Sequence, residues 1–245
     1  RTVSITINGR TYNRTTDVNG WATMNINLQP GEYEALCAYY GPQKSDNAFA
    51  KAVIKVLPTI LADNLVKYYL NGSQFHVKVI DGSGNPIVNT NVSMNINGVF
   101  YVRQTNSEGI ATLNIKLWSG KYILTVHNPY DGLLKSFDVT VLPTIESNDL
   151  VKYYHNDSQF YAKFVDGAGN PLVNTKVKFN INGVLYTRET NGEGVAKLNI
   201  NLNPGEYILT SIHPNGLQVG KKVTVLPTLE GSDLTMNYKD GSQFK

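Results

Sequence analysis

The sequence predicts an all-β chain built as tandem antiparallel β-sandwich domains in a linear array. Three near-copies of one stretch, KVLPTILADNLVKYYLNGSQF, TVLPTIESNDLVKYYHNDSQF and TVLPTLEGSDLTMNYKDGSQF, surround Pro58, Pro143 and Pro227, spaced 85 and 84 residues apart, and a fixed period marks an array of one unit. Apolar and polar residues alternate, Val92, Met94 and Ile96 against Ser93 and Asn95, and Val177, Phe179 and Ile181 against Lys178 and Asn180; that period of two belongs to strands with one buried face. Turn residues punctuate the chain at short intervals, with no helical pattern between them.

Each unit reads in order. The segments VSITINGRTY, VSMNINGVFY and VKFNINGVLY, from Val3, Val92 and Val177, are one strand followed by the start of the next, joined at Asn8-Gly9, Asn97-Gly98 and Asn182-Gly183. Both residues of Asn-Gly tolerate the positive φ of a tight hairpin. The partner strand runs to Thr16, Thr105 and Thr190, and a turn holds Gly20, Gly109 and Gly194. A further strand follows, with Leu113, Ile115 and Leu117 on one face. Gly31, Gly120 and Gly205 then stand two residues before Tyr33, Tyr122 and Tyr207, which open the next strand. The last strand, such as Phe137 to Val141, runs directly into Leu-Pro-Thr. This makes about seven short strands per unit. The boundaries are 1–57, a unit lacking its opening strands; 58–142 and 143–226, complete units; and 227–245, the opening strands of a further unit. Proline ends a ladder, so the inter-domain junctions at Pro58, Pro143 and Pro227 are short and stiff, favouring an extended rod. The first unit carries a longer hairpin, YYGPQKSDNAFA from Tyr39, read as drift rather than a contact site.

Composition narrows the function. Charged residues are 17% of the chain, against about 25% in an average protein, so Asn, Thr and Gly make the surface polar but mostly uncharged. The net charge of +3 is dispersed without a Lys/Arg run, which argues against a nucleic-acid partner. Cys37 is the one cysteine and aligns with Val126 and Ser211, so it reads as a small buried residue. No apolar run is long enough for membrane insertion within this segment, and no signal peptide opens it.

The stretch from Asp81, DGSGNPIVNTNVSMNINGVFYVRQTNSEGIATLNIKLWSGKYILTV, with its counterparts Asp166 to Pro171, Thr190 to Ala196 and Gly205 to Tyr207, resembles the Ig-like repeats of microbial surface proteins. With the Asn-rich copies and the Leu-Pro-Thr junction, the chain is similar over nearly its whole length to adhesin-like proteins of methanogenic archaea. The resemblance implies Ig-like sandwiches in an extracellular, cell-surface stalk or fibre, with no catalytic residues. Its expected partners are neighbouring repeats, other copies in a fibre, and surface glycans or host or microbial cells. Tyr33, Tyr122 and Tyr207 resemble the tyrosine corner of immunoglobulin-like sandwiches, a structural role.

Other residues are weighed against plainer roles. Asp81 to Asn85 and Asp166 to Asn170 echo the start of a calcium loop, but Ala168 removes a ligand and no acid closes the loop, so a turn is the reading. His76, His127, His155 and His213 lack metal-ligand spacing. No Ser, His and acid arrangement recurs and no phosphate-cradling loop appears, so no enzyme, cofactor or metal site is expected. Candidate N-glycosylation sites are Asn13, Asn71, Asn91 and Asn156, each followed two residues later by Ser or Thr. Of Tyr68-Tyr69 and Tyr153-Tyr154, one residue of each pair must face inward, which favours core and inter-domain packing over a glycan platform. Lys67 and Lys152, aligned with Met236, are expected to be solvated rather than cross-linked to Asn.

The ends add two alternatives. Arg1 aligns with Thr90, and 227–245 matches the opening strands absent from the first unit. Either the chain is a window on a longer array, the favoured reading, or the tail of one molecule completes the head of the next by strand addition, which gives an open filament.

Overall fold

The computed structural model describes residues 1–244 and is almost entirely β, arranged as tandem Ig-like sandwiches. Residues 58–142 form the first complete one. A small sheet holds β5 (Ile60–Leu61), β7 (Gln74–Val79) and β10 (Ile110–Asn114) in the order β10-β7-β5; a larger sheet holds β6 (Leu65–Tyr68), β8 (Asn91–Ile96), β9 (Val99–Gln104), β11 (Gly120–His127) and β12 (Leu134–Leu142) in the order β6-β12-β11-β8-β9. Residues 143–226 repeat this with β13 (Ile145–Ser147), β15 (Gln159–Phe164) and β18 (Val195–Asn199) in one sheet, and β14 (Leu150–Tyr153), β16 (Lys176–Ile181), β17 (Val184–Glu189), β19 (Gly205–Ile212) and β20 (Gln218–Leu226) in the other. The core lies between the sheets, with Phe75, Val77, Met94, Leu113, Leu124 and Val139 buried in the first sandwich and Phe160, Phe179, Leu198, Leu209 and Val223 in the second. Asn97 (φ 53°) and Gly98 (φ 77°) make the hairpin turn between β8 and β9, as the Asn-Gly pair demands.

Each sandwich has eight strands where the sequence reading counted about seven, because its opening segment divides between the sheets. β5 pairs antiparallel with β7, and β6 then crosses to pair parallel with β12, Leu65 beside Val139 and Tyr68 beside Leu142. β13 and β14 do the same against β15 and β20. The sandwiches are therefore antiparallel except for one parallel pair each. The crossing is held by a side chain: Asn64 Oδ1 accepts the Asp138 N–H at 2.8 Å, and Asp149 Oδ1 accepts the Lys222 N–H at 2.9 Å.

The first unit is one sheet, ordered β2-β1-β3-β4, of β1 (Thr2–Ile7), β2 (Arg10–Thr15), β3 (Gly31–Tyr39) and β4 (Ala48–Val56). Its longer hairpin carries a single 3₁₀ turn, Lys44–Asp46. Residues 21–28 align with β10 and its following residues yet form no strand. β10 is held by β7, and nothing equivalent to β7 lies beside residues 21–28 in this chain. Ile26 is consequently 39% exposed where its counterpart Ile115 is 4%. Residues 227–244, matching β13 to β15, likewise form no strand, although the turn survives: Asp240 accepts the N–H groups of Asn237 and Ser242 at 2.8 and 2.9 Å. Turns are specified locally and strands by their partners. Lys245 lies outside the described residues.

Candidate functional site

The features that repeat, and that differ between repeats, gather where the chain passes from one unit to the next. Only Pro143 and Thr144 separate β12 from β13. Thr144 is fully buried; its carbonyl accepts the Val165 N–H at 3.0 Å and its hydroxyl meets the Asn215 amide at 3.2 Å. Thr59 repeats this beside Pro58, accepting from Ile80 N–H and from the Asn128 amide at 3.1 Å, and donating to Asp131. The threonine of Leu-Pro-Thr thus seats each sandwich on its entry segment. Pro58 lines a cleft of 560 Å³ shared with Pro30 and Leu134, and Pro143 lines one of 830 Å³ with Ser119, Glu146, Tyr161 and Lys163. Pro227 is exposed.

The aromatic pairs divide their two faces. Tyr69 is buried and stacks on Trp118, with ring centroids 5.0 Å apart and planes within 8°. Tyr68 points toward the next unit and lies against Gly169. Three residues on, Asn71 donates from Nδ2 to the Gly167 carbonyl, while its Oδ1 accepts the Ser73 N–H. Of the four sequon asparagines, Asn13, Asn91 and Asn156 are exposed and Asn71 is half-buried in this contact. The Asp166 loop it touches is braced internally, with Asp166 Oδ1 accepting from Ala168 and Asn170 N–H at 2.8 Å each. These bonds hold the Asp166 carboxyl below its usual pKa. Asp81 braces its own loop in the same way.

Lys67 and Lys152 correct the expectation of solvated lysines: each is 4% exposed. Lys67 Nζ donates to the carbonyls of Ser73 and Ile115 at 2.8 and 3.0 Å. Lys152 Nζ donates to Asn156, Ser158 and Ile200 at 2.5, 3.1 and 2.9 Å. A buried ammonium is tolerable only when its donors find partners, and here backbone oxygens accept from all three donors of Lys152 and from two of the three of Lys67. Burial still pulls the Lys67 pKa below the ordinary lysine value.

His213 is buried, with Nε2 on the Val165 carbonyl at 2.9 Å and Nδ1 accepting the Asn215 N–H at 3.0 Å. Because Nδ1 accepts, the proton sits on Nε2 and the ring is neutral; burial lowers its pKa. Asn128 fills the same place in the preceding unit, reaching the Ile80 carbonyl. The hydroxyls of Tyr33, Tyr122 and Tyr207 donate to the carbonyls of Gln29, Trp118 and Asn203 at 2.8, 2.9 and 2.9 Å, tying each turn to the strand that follows. Among the described residues, no cluster of three or more His, Cys, Asp or Glu is placed to hold a metal ion, and no helix is long and apolar enough to cross a membrane. The burial of the lysines, the buried hydrogen bonds of His213 and Asn128 and the Asn71 contact were absent from the sequence reading; for the lysines, the inward tyrosine two residues on was the available signal.

No family model and no curated protein matches the chain. Among solved structures it is similar to the Bacteroides ovatus mixed-linkage glucan utilization protein SGBP-B in complex with a mixed-linkage heptasaccharide (16% identity, 98% of this chain, 65% of that one, TM-score 0.28). It is also similar to a Ca²⁺-stabilized adhesin that helps an Antarctic bacterium bind ice (15%, 94% and 66%, TM-score 0.26) and to the Clostridium thermocellum CbhA fibronectin(III)-like modules (14%, 72% and 100%, TM-score 0.26). The chain spans just under two thirds of the first two. Likenesses this distant carry no argument about activity, and the chain's own strand order is what defines it as a tandem of Ig-like sandwiches.

Proposed function

We propose that this chain is a structural repeat segment of an extracellular fibre or adhesin stalk, which extends from the surface of an archaeal cell and supports attachment. One observation carries the reading. β6 runs parallel to β12, and β14 to β20, so the chain enters each sandwich at one pole and leaves at the other. Every added unit then adds length, as a spacer requires. The experiment is replacement: in the surface protein that carries them, units 58–226 are exchanged for unrelated sandwiches of equal number. A spacer keeps its attachment, and loss of attachment shows that these units grip the partner themselves.

That second reading, a glycan- or protein-binding module, is favoured by Trp118, which is 60% exposed and precedes Ser119, a residue that lines the 830 Å³ cleft. It is matched by Gln29 and Asn203 in the other units, so such a site would belong to one unit only. Glycan-array binding abolished by Trp118→Ala supports its glycan form, and an array without signal removes that form.

A further inference from the structure

We infer that Tyr68 and Asn71 form a latch that closes on the Asp166–Asn170 loop of the following unit and fixes the angle between the two sandwiches. The inference deepens the spacer reading and rests on it. Both halves are pre-shaped. On the donor side, Ser73 N–H occupies Asn71 Oδ1, so the amide nitrogen is what faces outward, toward the Gly167 carbonyl. On the acceptor side, Asp166 holds its loop rigid through two backbone N–H groups, presenting that carbonyl without further ordering. The fit leaves no room for a side chain at Gly169, where a Cβ would stand 2.6 Å from the Tyr68 ring, while one on Gly167 would make ordinary contact with the Asn71 Cα at 3.5 Å.

The other copies of the loop and of the turn show that each half takes its shape before the contact closes. The Asp81–Asn85 loop holds the same shape with no tyrosine against it, since a Cβ on Gly84 would meet nothing within 4 Å. Tyr153 and Asn156 keep the same place and the same turn with no facing loop, Tyr153 55% exposed and Asn156 exposed, so the turn is set within its own unit. The third copy of the turn changes the chemistry. Asn237 replaces the tyrosine, and Asp240 replaces the asparagine while still accepting the Ser242 N–H. A carboxylate accepts hydrogen bonds and cannot donate to a carbonyl, so the Asp version keeps the turn and loses the latch. The residue pair at these two positions thereby sets whether a joint is locked or free, and an array can mix both kinds.

The test is residual dipolar coupling of the whole chain. In the parent, units 58–142 and 143–226 are expected to share one alignment tensor. Asn71→Asp, alone or with Tyr68→Asn, should separate the two tensor magnitudes by about twofold or more, and Asn156→Asp, the same change in the same turn, should leave them as in the parent. Gly169→Ala attacks the contact from the other side, with Gly84→Ala as its matched control at nearly equal φ (87° and 88°); this pair decides the matter if Asn71→Asp disturbs its own unit. Two independent tensors in the parent, or a single tensor that survives both Asn71→Asp and Gly169→Ala, overturns the latch. Either result leaves the spacer reading intact, because that reading is tested by attachment.

Discussion

Lys67 lies in β6 of the larger sheet and Ile115 directly follows β10 of the smaller one, and the Nζ of the first donates to the carbonyl of the second at 3.0 Å. The same bond joins Lys152 to Ile200 at 2.9 Å. Each lysine also closes its own turn, so one side chain binds two sheets and a loop. Lys67→Ala is expected to cost about 3 kcal/mol, since hydrogen bonds to a charged group are lost and buried carbonyls are left bare. Lys67→Met, the residue found at 236, should recover the packing of the stem but not the bonds. Chemical denaturation of unit 58–142 measures both, and a loss below about 1 kcal/mol would mean that water replaces the ammonium.

Stability should depend on pH through His213. Its folded pKa lies below the ordinary 6.5 because burial disfavours the charged ring, so the unfolded chain binds the proton more readily. The contribution is therefore complete above pH 6.5 and is lost as pH falls from there through the folded pKa. His213→Asn, which copies Asn128, should flatten this part of the curve. Thermal melts between pH 7.5 and 5 for the parent and the variant provide the check; identical slopes assign the dependence elsewhere.

Ser211 is fully buried with its hydroxyl unpartnered, at the position held by Val126 one unit earlier. Ser211→Val removes a desolvated polar group and adds apolar contact, and should stabilise unit 143–226 by about 1 kcal/mol. A destabilised variant would show that the site is too tight for the extra methyl groups.

Asn71 and Asn156 share a sequon, a turn and an Oδ1 bond to the serine two residues on, but only Asn71 faces a neighbouring backbone. An N-glycosylating enzyme given the folded chain should modify Asn156 well ahead of Asn71, as read by site-resolved mass spectrometry. Equal occupancy would mean that the joint opens widely enough to admit a sugar.

The period-two pattern of Val92, Met94 and Ile96 and the Asn-Gly turns made the strands legible, because both are local rules. The same alternation in residues 21–28 produced no strand, since a strand exists only with a neighbour to bond. Lys67 was misread because its charge outweighed its register: Tyr69 faces the core, and a residue two places away shares that face. The division of the opening segment between sheets was hidden for a similar reason, as nothing around Asp63 and Asn64 states which ladder each half joins. The contact of Asn71 with Gly167 lies beyond any local pattern, linking positions 96 residues apart.

The parallel pairing of β6 with β12 has a consequence for a chain under tension. A pull along the array draws β6 toward its N-terminus and β12 toward its C-terminus, in opposite directions along a common axis. The rungs between Leu65–Val139 and Tyr68–Leu142 are then sheared together instead of unzipping one by one, and all must fail at the same moment. Lys67 sits within that short ladder and is anchored to the far sheet. The segment that opens each sandwich is thus also its mechanical clasp, and such a unit should stay closed under load until the whole ladder gives way.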